Sequence, residues 1–123
     1  MDQVFFSLAG FLAALAVALS AFGRHRVQEH TNPQLFTLFD IGARNHLIHA
    51  VGVALAGVAN VMWPYSRWPL WSGWLFVVGI LLFSGSLYVH VLSHRRAPTW
   101  LAPIGGLAFI LGWVCLGISP WVK

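Results

Sequence analysis

WPLWSGWLFVVGILLFSGSLYVHVLSH, residues 68–94, runs from just after Arg67 to just before Arg95 without one side chain that is charged at neutral pH. An α-helix needs ~20 mainly apolar residues to cross a hydrocarbon core of about 30 Å, so this stretch holds one crossing and is too short for two. Charged residues leave similar gaps between Asp2 and Arg24, between Arg44 and Arg67, and between Arg96 and Lys123. In lipid a backbone must satisfy its own N–H and C=O groups, which puts helices in the gaps and loops at the charged breaks. The chain therefore reads as an all-α integral membrane four-helix bundle, a single transmembrane domain over 1–123, with helices at about 4–22, 46–63, 71–92 and 101–122.

Composition agrees with this reading. With 59% hydrophobic residues, 8% charged and a mean hydropathy of +0.76, the chain lacks the polar surface of a water-soluble domain. The net charge of +4 does not point to nucleic acid. Basic residues at helix ends instead suit lipid phosphates and the positive-inside bias. The lone cysteine, Cys115, lies inside the fourth gap, which excludes an internal disulfide and a Cys-rich metal motif. Ala18-Leu19-Ser20-Ala21 has the small residues of a signal-peptide cleavage site, but Met1-Asp2-Gln3 has no basic residue and the apolar run is longer than a signal core. The first segment is read as a retained helix.

Between helices 1 and 2, Gly23 to Asn32 reads as the one substantial loop, closed by Pro33. Leu35, Phe36, Leu38, Phe39 and Ile41 then alternate with Gln34, Thr37 and Asp40 at helical spacing. This pattern predicts an interfacial amphipathic segment over about 33–45, which either bends into helix 2 or continues into it. Small residues line one face of each helix, and Gly52, Ala56, Gly79, Ser86, Gly105 and Gly112 are the candidates for close helix packing.

Sorting the chain by membrane face exposes an asymmetry. Arg24, Arg26, Arg44, Arg95, Arg96 and all six histidines fall on one face, where the arginines are candidates for contact with lipid phosphates or another anion. Arg67 and Lys123 fall on the other face, with Trp63, Tyr65, Trp68, Trp71, Trp74 and Trp121 as headgroup-level anchors. His49 lies five residues inside Arg44 and His90 five residues inside Arg95. Both are thus about 7 Å from a flanking charge and can meet at one depth. Paired imidazoles there form a candidate cofactor site for haem, a metal or a quinone. The reading preferred on the residues alone is plainer: neutral histidines acting as polar glue between helices, with no cofactor expected.

Several motifs then add a resemblance. Phe83-Ser84-Gly85-Ser86-Leu87-Tyr88, Pro103-Ile104-Gly105-Gly106 followed by Gly112-Trp113, Ala21-Phe22-Gly23 with His25, and His49-Ala50 resemble the domain-of-unknown-function 423 family. Its members are small, mostly bacterial membrane proteins related to eukaryotic transmembrane protein 256. The resemblance covers nearly the whole chain and implies about four helices and residence in the bacterial inner membrane, but it brings no established activity or cofactor. Arg24 replaces a usual alanine and Asn45-His46 a common Tyr-Gln pair, and His46 and His90 look particular to this chain.

The chain offers no nucleophile with a base, no carboxylate inside the bundle and no phosphate-binding loop, so the expected role is not enzymatic. The leading expectation is an accessory or scaffold subunit in contact with lipid and with other membrane-protein subunits or copies of itself. Alternatives are the His49/His90 cofactor site and a small oligomeric transporter. Because five arginines flank the first and third loops, those loops should be cytoplasmic and both termini outside. Reporter fusions at Lys123 should be active only outside the cytoplasm. Activity confined to the cytoplasm would reverse the orientation.

Overall fold

The computed structural model describes residues 1–93 and 100–123, and in them four helices are long and apolar enough to cross a membrane: α1 Asp2–His30, α2 Pro33–Met62, α3 Trp68–Ser93 and α4 Leu101–Ile118. No strand occurs among the described residues. Successive helices run antiparallel, with α1 packed along α2, α2 along α3, and α3 along α4. The four-crossing architecture expected from the charge gaps is present.

One boundary differs from the sequence reading, and an alternative it left open is decided. The predicted loop over Gly23 to Asn32 is helical as far as His30, because α1 continues through a π-type turn, Gly23–Val27, instead of ending at Phe22. Gly23 allows this, since the Phe39 ring of α2 sits 2.7 Å from where its Cβ would be. A bulkier residue would push the two helices apart there. The predicted interfacial segment takes the second of its two expected forms: it continues into helix 2 as the first turns of an unbroken 30-residue α2. Asn32 caps that helix, its Oδ1 accepting the Leu35 N–H at 2.9 Å, with Pro33 at the first position. Nothing between Pro33 and Met62 then removes a backbone donor and breaks the helix.

Phenylalanine rings set into glycine positions hold the crossings together. Phe76 of α3 is fully buried between α2 and α4, its ring 2.9 Å from the position of a Cβ on Gly52 and 2.6 Å from one on Gly112. Phe109 of α4 fills the corresponding space at Gly79, and Gly105 faces the backbone of Phe83. Phe5 of α1 lies against Gly57 and Gly73 and makes an edge contact with Trp74. Phe5, Phe76, Phe109, Val53, Ala56 and Ile80 thereby form one continuous core. In lipid, where the solvent is as apolar as the side chains, such close contact supplies the association energy that the hydrophobic effect supplies in water.

A second π-type turn, Ile80–Ser84, lies in the middle of α3. Side chains four apart on a straight α-helix drift by about 40° per step, or roughly 120° over the three steps from Phe76 to Tyr88. A turn holding an additional residue takes up part of that drift. Phe76, Ile80, Ser84 and Tyr88 can thus all serve the interior: Phe76 meets Gly52, Tyr88 reaches His46, and the Ser84 hydroxyl donates to the Gly42 carbonyl at 2.7 Å. At the other end, Ser66 donates to the Val122 carbonyl at 2.7 Å and ties the α2–α3 loop to the chain's C-terminal residues.

Replacing Gly112 with Leu should lower the melting temperature in detergent through overpacking worth about 1–3 kcal/mol or more. The same change at Gly117, where an added Cβ would meet nothing within 4 Å, should leave it nearly unchanged. Equal effects at both positions would refute the assignment of Phe76 to the Gly112 space.

Candidate functional site

Two buried polar side chains, both histidines, share one face of α2. His46 and His49 stand three residues apart, nearly one turn, and are 2% and 5% exposed. His49 Nδ1 lies 2.7 Å from the Asn45 carbonyl oxygen, and its Nε2 lies 3.0 Å from the Trp113 indole nitrogen of α4. A carbonyl only accepts and an indole N–H only donates, which assigns the roles. His49 Nδ1 carries the proton and donates to Asn45, Nε2 is bare and accepts from Trp113, and the ring is neutral. Phe109 stacks on the imidazole with ring centres 3.5 Å apart and planes at 8°, while Phe76 and Trp113 close its edges at 5.5 Å and 5.8 Å. The ring is a cross-link between α2 and α4 with both nitrogens engaged.

His46 makes the corresponding link to α3. Its Nδ1 is 2.9 Å from the Tyr88 hydroxyl, and Tyr88 in turn packs against Phe39 at 5.2 Å. The Nε2 of His46 is buried and has no hydrogen-bond partner among the described residues.

His90 does not join His49. Gly52 lies against Phe76 and Gly42 against Leu87 and Tyr88, which puts His49 level with the Ile80 turn. His90 is about ten residues, roughly 15 Å, nearer the basic end. No hydrogen bond or ring contact links the two, and among the described residues no three His, Cys, Asp or Glu side chains assemble as metal ligands. The two are not level because α2 begins at Pro33 and not beside Arg44. Arg44 is in fact three turns inside α2, on its outer face, paired with Asp40 at 2.9 Å.

The remaining candidates divide as follows. Arg24 and Arg26 lie on the π-type turn of α1 and each borders a cavity at the basic end, whereas Arg95 and Arg96 fall outside the described residues, as does His94. Gly52, Gly79, Gly105 and Gly112 take rings or backbone from a neighbouring helix, and Ala56 is fully buried in the core. Ser86 is buried, but its hydroxyl donates to Phe83 of its own helix at 2.8 Å instead of crossing to another. The sequence reading missed Trp113 and Tyr88 as partners and left His46 out of the candidate site. The three-residue spacing of His46 and His49 was the signal that both face the same interior.

A family profile described as "Protein of unknown function (DUF423)" matches residues 19–106. Similar proteins include a UPF0382 membrane protein of Staphylococcus saprophyticus, 33% identical over 97% of this chain and 98% of the relative. The UPF0382 inner membrane protein YgdD of Escherichia coli is 33% identical over 92% of this chain and 83% of the relative. YwdK of Bacillus subtilis, also named a UPF0382 membrane protein, is 31% identical over 95% of each. No solved structure matches the chain significantly.

The His49–Trp113 bond is directly testable. His49→Gln and Trp113→Phe should each destabilise the detergent-solubilised protein, and the double variant should reveal a coupling of about 0.6 kcal/mol, the average for hydrogen bonds between membrane helices, and no more than about 1.7 kcal/mol. Additive effects measured by reversible unfolding would show that the two side chains do not interact.

Proposed function

The chain belongs to the DUF423 family of membrane proteins, and we propose that it acts without enzymatic chemistry, as a small accessory subunit that packs against other membrane proteins in the bacterial inner membrane. The observation that carries this reading is an apolar groove of about 300 Å³ on the lipid-facing side of the α1–α2 pair. It is lined by Phe6, Ala9, Gly10, Ala13, Ala50 and Ala54. A Cβ added at Gly10 would meet nothing within 4 Å. Small side chains that leave a groove open to lipid permit another helix to approach closely. Phe11, next to Gly10 in sequence, is 78% exposed within the single chain.

The interior lends support of a different kind. A haem, metal or quinone at His49 would have to displace either the Asn45 or the Trp113 hydrogen bond and unstack Phe109, at a cost that the binding would have to exceed.

Photo-crosslinking amino acids placed at Gly10 and Ala54, on the two walls of the groove, should capture the same membrane protein in native membranes. A probe at the exposed Ile110 of α4 should not. Only lipid adducts from both groove positions would overturn the subunit reading. A stoichiometric haem spectrum that disappears in His49→Gln would also overturn it, in favour of a cofactor site.

A further inference from the structure

The basic end of the bundle holds a second cavity, unrelated to the groove above. The last turns of α1 and α3 leave a cleft of about 350 Å³ with an apolar wall of Phe22, Val91 and Leu92 and a polar lip of Arg26, His30 and Thr31. Val27, 3% exposed, forms its floor and packs with Phe39 and Val91.

Its position in the bilayer follows from helix geometry. The apolar run of α1 from Val4 to Phe22 spans about 28 Å, close to the thickness of the hydrocarbon core. Arg26 stands four residues, or about 6 Å, beyond Phe22, at headgroup level, while Phe22 marks the edge of the acyl region. The cleft therefore straddles the two layers, with its charge in one and its apolar wall facing the other.

The lip has a defined polarity. Ion pairs among the described residues join Met1 to Asp2 and Arg44 to Asp40, and none neutralises Arg26. His30 Nδ1 is 2.9 Å from the Arg26 carbonyl oxygen, an acceptor, so in the neutral ring Nδ1 is the donor and Nε2 is left as a free acceptor. The Thr31 hydroxyl gives its proton to the Val27 carbonyl and likewise keeps lone pairs available. The lip thus presents one fixed guanidinium beside acceptors for hydroxyl protons. A phosphodiester with a hydroxylated headgroup complements that set: the guanidinium binds the phosphate with paired, charge-assisted hydrogen bonds, and the headgroup hydroxyls donate to the histidine and threonine.

We propose that this cleft is a binding site for one anionic phospholipid with a polyol headgroup, its phosphate on Arg26 and an acyl chain along Phe22, Val91 and Leu92. The site does not depend on the accessory-subunit reading and would serve to fix the bundle's basic end in an anionic leaflet. Arg44 supplies the internal control. It is on the same membrane face and removes the same charge when substituted, but it is already paired with Asp40.

The test is native mass spectrometry of the full chain with phosphatidylglycerol or phosphatidylcholine, alongside melting curves with each lipid and with inorganic phosphate. Wild type should retain one phosphatidylglycerol in preference to phosphatidylcholine and melt higher with it, whereas inorganic phosphate should not reproduce the shift. Arg26→Gln should weaken retention by about tenfold, the size expected for a charge-assisted hydrogen bond. Leu92→Trp, which fills the apolar lip without altering charge, should weaken it as well, and Arg44→Gln should not. Equal losses in Arg26→Gln and Arg44→Gln would show diffuse surface attraction and overturn the site. So would equal retention of phosphatidylcholine, or an equal shift with inorganic phosphate.

Discussion

The Phe76 ring, lodged where two helices lack a Cβ, is the contact on which the bundle turns. Gly52 on one side and Gly112 on the other leave less than 3 Å between the ring and the atoms that any other residue would introduce. Lipid offers helices no hydrophobic reason to associate, so the distance of approach decides whether dispersion contacts accumulate. By bringing α2 and α4 against the same ring, Phe76 also places the imidazole of His49 within reach of the Trp113 indole. Packing precedes the polar bond and makes it geometrically possible.

That bond bears on function. A histidine in a membrane interior invites a functional assignment, because polar groups there are costly and commonly mark ion or cofactor sites. Here the cost is offset internally. One ring nitrogen donates within its own helix and the other accepts from a neighbouring helix, while a phenyl ring covers the imidazole face. Such a residue sets the register between α2 and α4 and offers no lone pair to a ligand. The candidate contact surfaces lie further out, in the groove along α1 and in the cleft at the basic end, where Arg26 has no ion-pair partner among the described residues.

How much of this was legible in the sequence depended on the kind of information each residue carries. Charge is expensive in hydrocarbon, so the uncharged gaps gave the number of crossings, and the glycines at 52, 79, 105 and 112 could be read as packing positions because each falls among small residues on one helix face. Helix ends were less legible. Arg44 is charged yet sits three turns inside α2, where its long side chain and its pairing with Asp40 keep it on the outer face, so using it as a depth marker set His49 and His90 falsely level. The π-type turns left no signal that periodicity alone could resolve, since a single additional residue per turn shifts the face without changing composition. Trp113 stood within a recognised motif, but which helix it would bond depended on the order of packing, which no local pattern records.

The most direct measurement is the ¹⁵N spectrum of the histidine side chains in lipid bilayers, with the His49 resonances identified by their loss in the His49→Gln variant. The account predicts a neutral imidazole protonated at Nδ1, with a bare Nε2 that accepts a hydrogen bond from the Trp113 indole. A proton on Nε2, an imidazolium, or a resonance displaced by a bound metal would contradict it.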